Sequence, residues 1–170
     1  MQKQEILIFT SFISLLLTLI FFFFPLGYIN GLNNIGSYYD LMFSSSLSVK
    51  VENSYQGIIT YSSNILAIIA FILIFLLIIY KFIILKFNAL YYDLTILKII
   101  DASFTFLIAV FIFINFLTLK GLLTIKEVGT FNFSINNITP SIGVIVPIVL
   151  LLITTVMDIL SIKFEHEENK

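Results

Sequence analysis

The sequence predicts an all-α membrane protein: a four-transmembrane-helix bundle with a small extracytoplasmic antiparallel β-sheet built from its two outer loops. Three observations lead there. Four apolar stretches, residues 6–26, 65–85, 99–119 and 142–162, each run about 20 residues, the length a helix needs to cross a bilayer's hydrocarbon core. Hydrophobic residues make up 59% of the chain and charged residues 11%, with a mean hydropathy of +1.09, whereas a soluble domain is about a quarter charged. The two longer connections, residues 28–64 and 120–140, alternate apolar and polar residues with the period of a strand. Residues 1–164 are therefore expected to form a single four-span membrane domain, followed by a polar tail at 165–170.

The first stretch is longer than the ~7–15-residue apolar core of a signal peptide. Its end, Phe21-Phe22-Phe23-Phe24-Pro25-Leu26-Gly27, has no small-residue cleavage site. It reads as an uncleaved span whose phenylalanine run packs or meets lipid near the outer leaflet. The first outer loop opens with a Gly/Asn-rich segment, Asn30 to Gly36. Leu47, Val49 and Val51 then alternate with Ser48, Lys50 and Glu52, Asn53-Ser54 offers a turn, and Gly57 to Tyr61 is β-branched and aromatic. That is the pattern of a hairpin with one apolar face. The second outer loop repeats it: Leu123 to Lys126 forms a strand, Glu127-Val128-Gly129 turns, and Phe131, Phe133 and Ile135 alternate with Asn132, Ser134 and Asn136. An isolated two-stranded hairpin is marginal in water, so the two loops are expected to combine into one sheet.

Orientation follows from lysines, which accumulate on the cytoplasmic side of a membrane. With the N-terminus inside, Lys3, Lys81, Lys86, Lys98, Lys163 and Lys170 fall inside, and Lys50, Lys120 and Lys126 outside. Both termini are thus expected to be cytoplasmic in a multi-pass protein, with the cell membrane as its default location. The second outer loop then carries two N-glycosylation sequons outside, at Asn132 and Asn137. Tyr28, Tyr38, Tyr39, Tyr55 and Tyr61 fall at the outer headgroup level, and Tyr80, Tyr91 and Tyr92 at the inner one, where an aromatic ring with a polar tip is best satisfied.

Each span carries small or polar residues at helical spacing: Thr10, Ser14 and Thr18; Asn64, Ala67 and Ala70; Asp101, Thr105, Ile108, Ile112 and Asn115; Gly143, Pro147, Thr154, Asp158 and Ser161. Small residues let helices approach and polar ones bond across the interface, so these stripes are expected to face inward. Ionisable residues inside a span are functional suspects. The expected intramembrane polar cluster is Lys98, Asp101, Asn115 and Asp158, with Lys98 one helical turn from Asp101. Its structural reading is a pin between the third and fourth helices, and its functional reading is a proton or cation site.

The composition excludes several classes. There is no cysteine, hence no disulfide or thiolate metal site. The net charge of -1 and the lack of a basic run exclude a nucleic-acid partner. No phosphate loop, His-Glu-x-x-His or Gly-x-Ser-x-Gly motif occurs. His166, the single histidine, sits in the polar tail without companion ligands. No cofactor, metal or enzymatic activity is expected. In layout alone, four spans with inner termini and an outer sheet, the chain resembles the claudin and peripheral-myelin-protein group, but it lacks that group's Trp and paired Cys. The expected function is non-enzymatic: protein–protein contact in the lipid bilayer, as a subunit of a membrane complex, a homo-oligomer or a cell-surface interaction protein. The alternative is a small oligomeric channel or transporter for an ion or small solute.

Overall fold

A computed structural model of the chain describes residues 3–29, 35–43, 46–50, 56–61, 65–86, 95–118, 120–125, 129–134 and 138–168. Inside hydrocarbon a segment must satisfy its own backbone hydrogen bonds, and a helix does so without a partner. Four helices are long and apolar enough to cross a membrane: α1 (Lys3–Phe21), α3 (Ile65–Lys86), α4 (Thr95–Leu117) and α5 (Ile142–Glu168), with the short α2 (Tyr38–Phe43) between the first two. Their limits differ from the apolar stretches for local reasons. α1 stops at Phe21 because the chain tightens there: the amides of Phe23 and Phe24 bond the carbonyls three residues back, and Pro25 brings no N–H. α4 begins at Thr95, four residues before the apolar stretch, and takes Lys98 into the helix. The α5 backbone stays helical to Glu168, through most of the expected tail.

α1 and α4 each pack against both α5 and α3, so α3 and α5 face each other across the bundle. Leu15, Ile74, Ile108, Ile112 and Leu151 fill its centre and are fully buried. The opposite faces are apolar and exposed, as on α3 with Ile72, Phe75, Leu76 and Phe82, the arrangement of helices that meet lipid. The inward stripes read from the sequence are buried on α4 and α5 throughout, and Ala67 and Ala70 are buried on α3. On α1 the buried polar residues are Gln4, Ser11, Ser14 and Thr18, so Ser11 takes the place expected for Thr10.

The strands gather at one end of the bundle. β2 (Ser46–Lys50) and β3 (Gln56–Tyr61) come from the first long connection, β4 (Lys120–Ile125) and β5 (Gly129–Ser134) from the second, and they pair in the order β2-β3-β4-β5, antiparallel throughout. The register aligns Leu47, Ile59, Leu123 and Phe131 in one row across all four strands, and Ser48, Ile58, Thr124 and Thr130 in the next. Gly129, with φ 110°, supplies the left-handed conformation that opens β5. The hairpin turns at 51–55 and 126–128 lie outside the described residues.

A second, two-stranded sheet joins β1 (Gly27–Ile29) to β6 (Ile138–Pro140). It ties the exit of α1 to the entry of α5. The Ser141 amide donates to Leu26 O at 2.9 Å and the Gly143 amide to Pro25 O at 3.1 Å. A Cβ on Gly143 would collide with the carbonyl oxygens of Phe24 and Pro25, so only glycine permits this approach. α2 is capped reciprocally: the Ser37 amide and hydroxyl both donate to Asp40 Oδ2 at 2.7 Å, and the Asp40 amide donates to Ser37 Oγ at 3.2 Å. This cap aims Tyr38 into the bundle. Its ring lies 4.9 Å from that of Phe22, and its hydroxyl donates to Ile112 O at 2.9 Å. Tyr38 is thus a core residue rather than a headgroup-level one, while Tyr28 and Tyr39 are exposed.

Candidate functional site

The inward face of α3 runs Ala67, Ala70, Ile74, Ile78, Lys81, a helical repeat that carries one lysine into the bundle. The chain offers that lysine two acceptors from neighbouring helices. Lys81 Nζ donates to Asp101 Oδ2 on α4 at 2.6 Å and to Asp158 Oδ1 on α5 at 2.7 Å. α1 contributes the fourth member, Ser11, whose hydroxyl donates to the same Asp158 Oδ1 at 2.8 Å. All four spans therefore meet at one group of polar side chains. The three charged side chains are 1%, 0% and 1% exposed, which makes this a fully desolvated site.

Backbone contacts hold the surroundings. Thr105 Oγ1 donates to Asp101 O, Ser161 Oγ to Asp158 O, and Gln4 Nε2 to Ser161 O. Taking an ion out of water costs several kcal/mol, offset only by well-placed opposite charge and hydrogen bonds. Lys81 supplies both to each carboxylate, but two carboxylates share its single charge. The remaining oxygens, Asp101 Oδ1 and Asp158 Oδ2, are buried and accept no hydrogen bond among the described residues. Both bonded oxygens touch the same Nζ, so the carboxylates lie within two hydrogen-bond lengths of each other.

Of the residues expected to cluster, the structure brings Asp101 and Asp158 together and gives them a different cation. Lys98 is fully buried three residues before Asp101, but the carboxylates bond Lys81 instead. Asn115 is buried on α4 but lies roughly 21 Å along the helix from Asp101, at 1.5 Å per residue, and belongs to the sheet end. Asn132 lies in β5, paired with Leu122, and Asn137 lies outside the described residues. Lys81 and Ser11 were not anticipated at this site. For Lys81 the signal is in the sequence, because it continues the Ala67, Ala70 spacing. With Lys81 and Lys98 buried in the bundle, the lysines that remain for the orientation count are Lys3, Lys86, Lys163 and Lys170 against Lys50, Lys120 and Lys126.

Among the described residues no group of three His, Cys, Asp or Glu is placed to hold a metal ion. A shallow hollow of about 270 Å³ lies on α5 and is lined by Val149, Leu152, Ile153, Val156 and Met157. Fold and site together are those of a bundle of four helices long and apolar enough to cross a membrane, compatible with a multi-pass membrane protein, with a charged core shared by all four. No protein family model, curated protein or solved structure matches the chain.

Proposed function

We propose that this is a non-enzymatic membrane protein that works through protein–protein contacts, as a subunit of a membrane complex or as a surface interaction protein. The observation that carries this reading is the closure of the bundle around Lys81, where side chains from all four spans are joined by hydrogen bonds. The contact surfaces left are the apolar helix faces, with the hollow on α5, and the four-stranded sheet, whose edge strands are β2 and β5. An edge strand presents unpaired backbone groups and is a natural seat for another chain. In this reading both termini are cytoplasmic, the sheet stands outside the cell membrane in a claudin-like layout, and Asn132 and Asn137 are open to glycosylation. The lysines outside the buried core support that orientation by four to three.

The test is extraction from the native membrane into nanodiscs, followed by size determination, mass spectrometry and cross-linking. A stoichiometric partner or second copy cross-linked through β2, β5 or the α5 hollow is expected; a lone monomer would overturn the reading. A second reading, a small oligomeric channel or transporter, draws on the unbonded oxygens of Asp101 and Asp158. It requires a flux in reconstituted vesicles that is lost in Asp101→Asn or Asp158→Asn at unchanged expression.

A further inference from the structure

Among the described residues, the two carboxylates of the charged core share one hydrogen-bonded cation. Lys81 is bonded to two carboxylates, and each carboxylate keeps one buried oxygen, Asp101 Oδ1 and Asp158 Oδ2, without a donor. The ionisable groups on the surrounding elements are Lys81 and Tyr80 on α3, Lys98 on α4, Asp158 on α5 and, toward the end of α1, Glu5. Tyr80 lies within electrostatic reach of both aspartates. Lys98, one helical turn before Asp101, is a second buried lysine that makes an interaction, and the cation hydrogen-bonded to both aspartates is Lys81. With both carboxylates ionised, two like charges would sit within two hydrogen-bond lengths of each other in a low-dielectric interior, where such repulsion is strongest.

We propose that the cluster is a proton-binding site, with one proton carried by Asp101 on Oδ1. The site fits a proton and not a metal cation. A hard cation needs several oxygen ligands, while two oxygens are free here and the Lys81 ammonium already occupies the space between the carboxylates. A proton needs one lone pair and no added volume: it forms an O–H bond on the carboxylate, no bond breaks, and Lys81, Asp101 and Asp158 together become neutral. The hydrogen-bond pattern chooses between the two aspartates. Asp158 Oδ1 accepts from both Lys81 and Ser11, whereas Asp101 accepts from Lys81 alone. Donors to the charged form favour that form, so Asp158 keeps the charge and Asp101 takes the proton. Occupancy then couples the packing of α4 against α5 to the proton activity at the end of the bundle away from the sheet.

The experiment is infrared spectroscopy of the whole chain in lipid nanodiscs, with and without ¹³C-labelled aspartate, across neutral and alkaline pH. The wild type is expected to show the C=O stretch of a protonated aspartic acid at neutral pH, shifted by the label and by deuterium exchange, and lost as pH rises. Asp101→Asn is expected to abolish the band. Asp158→Asn is expected to abolish it too, because Asp101 then has Lys81 to itself and ionises. Ser11→Ala is expected to keep the band and shift its frequency, since Asp158 loses a donor. Absence of the band in the wild type at neutral pH overturns the proposal whether or not the variants fold; that is the result if Lys98 supplies the balancing charge. A labelled band that survives in Asp101→Asn overturns it as well.

Discussion

Near the sheet, the helices meet at backbone distance: the Gly143 amide bonds Pro25 O, β1 pairs with β6, and Tyr38 reaches the backbone of α4 through a neutral hydroxyl. Toward the other end they meet through long side chains, with Lys81 spanning the bundle to Asp101 and Asp158 and Gln4 reaching Ser161. Lipid tails are as apolar as leucine, so burial does little to hold spanning helices together, and packing and hydrogen bonds must do it. The comparison shows two solutions to that problem in one bundle. The sheet end fixes geometry by fit, and a misfit is the way it fails. The charged end fixes geometry by charge, and a missing partner is the way it fails.

Four variants test this contrast. Lys81→Met leaves the buried aspartate pair without its cation and is expected to have the largest effect, about 3–5 kcal/mol of lost stability, read from unfolding in detergent. Ser11→Ala removes one hydrogen bond to a charged group and should cost about 2 kcal/mol in the same assay. Gly143→Ala at the sheet end must push the α1 exit away from α5, an overpacking cost of about 1–3 kcal/mol. Combined with Ser11→Ala it should add to within about 0.5 kcal/mol, because the two sites share no partner; strong non-additivity would show that the ends are not separate. Tyr38→Phe loses a neutral hydrogen bond worth about 1 kcal/mol.

Tyr38 also separates the ends by pH. Burial pushes its phenol well above the ordinary value of 10.0, so the folded protein keeps it neutral. Its contribution is full below that value and falls as pH rises above it, where the unfolded chain ionises first. Stability measured into the alkaline range should decline in the wild type, and that part of the decline should vanish in Tyr38→Phe.

Hydropathy and helical spacing made the spans and most of their inward faces legible, because a residue such as Thr105 or Asp158 has one low-cost direction to point in a membrane. Period-two alternation located both hairpins, since Leu47, Ile59, Leu123 and Phe131 sit at matching phases. The pairing of β1 with β6 was not legible: it depends on Gly27 letting the two strands touch, with Gly143 doing the same beside it, which no periodicity encodes. Lys81 was misread for a different reason. A lysine near the end of an apolar run has the same local signature whether it reaches outward to the headgroups or inward to a partner. The choice was made by Asp101 and Asp158, 20 and 77 residues away in sequence.

The neighbourhood of α1 and α5 has a consequence for biogenesis. The ribosome delivers α1 well before α5, yet Ser11 bonds Asp158 on α5 and the α1 exit is held by the amides of Ser141 and Gly143. Until α5 arrives, the nascent chain must present the Ser11 hydroxyl and the carbonyls of the α1 exit to lipid or to the insertion machinery. Slowing the synthesis of α5 should therefore prolong that exposure and make α1 the segment that an insertase or a quality-control protease engages.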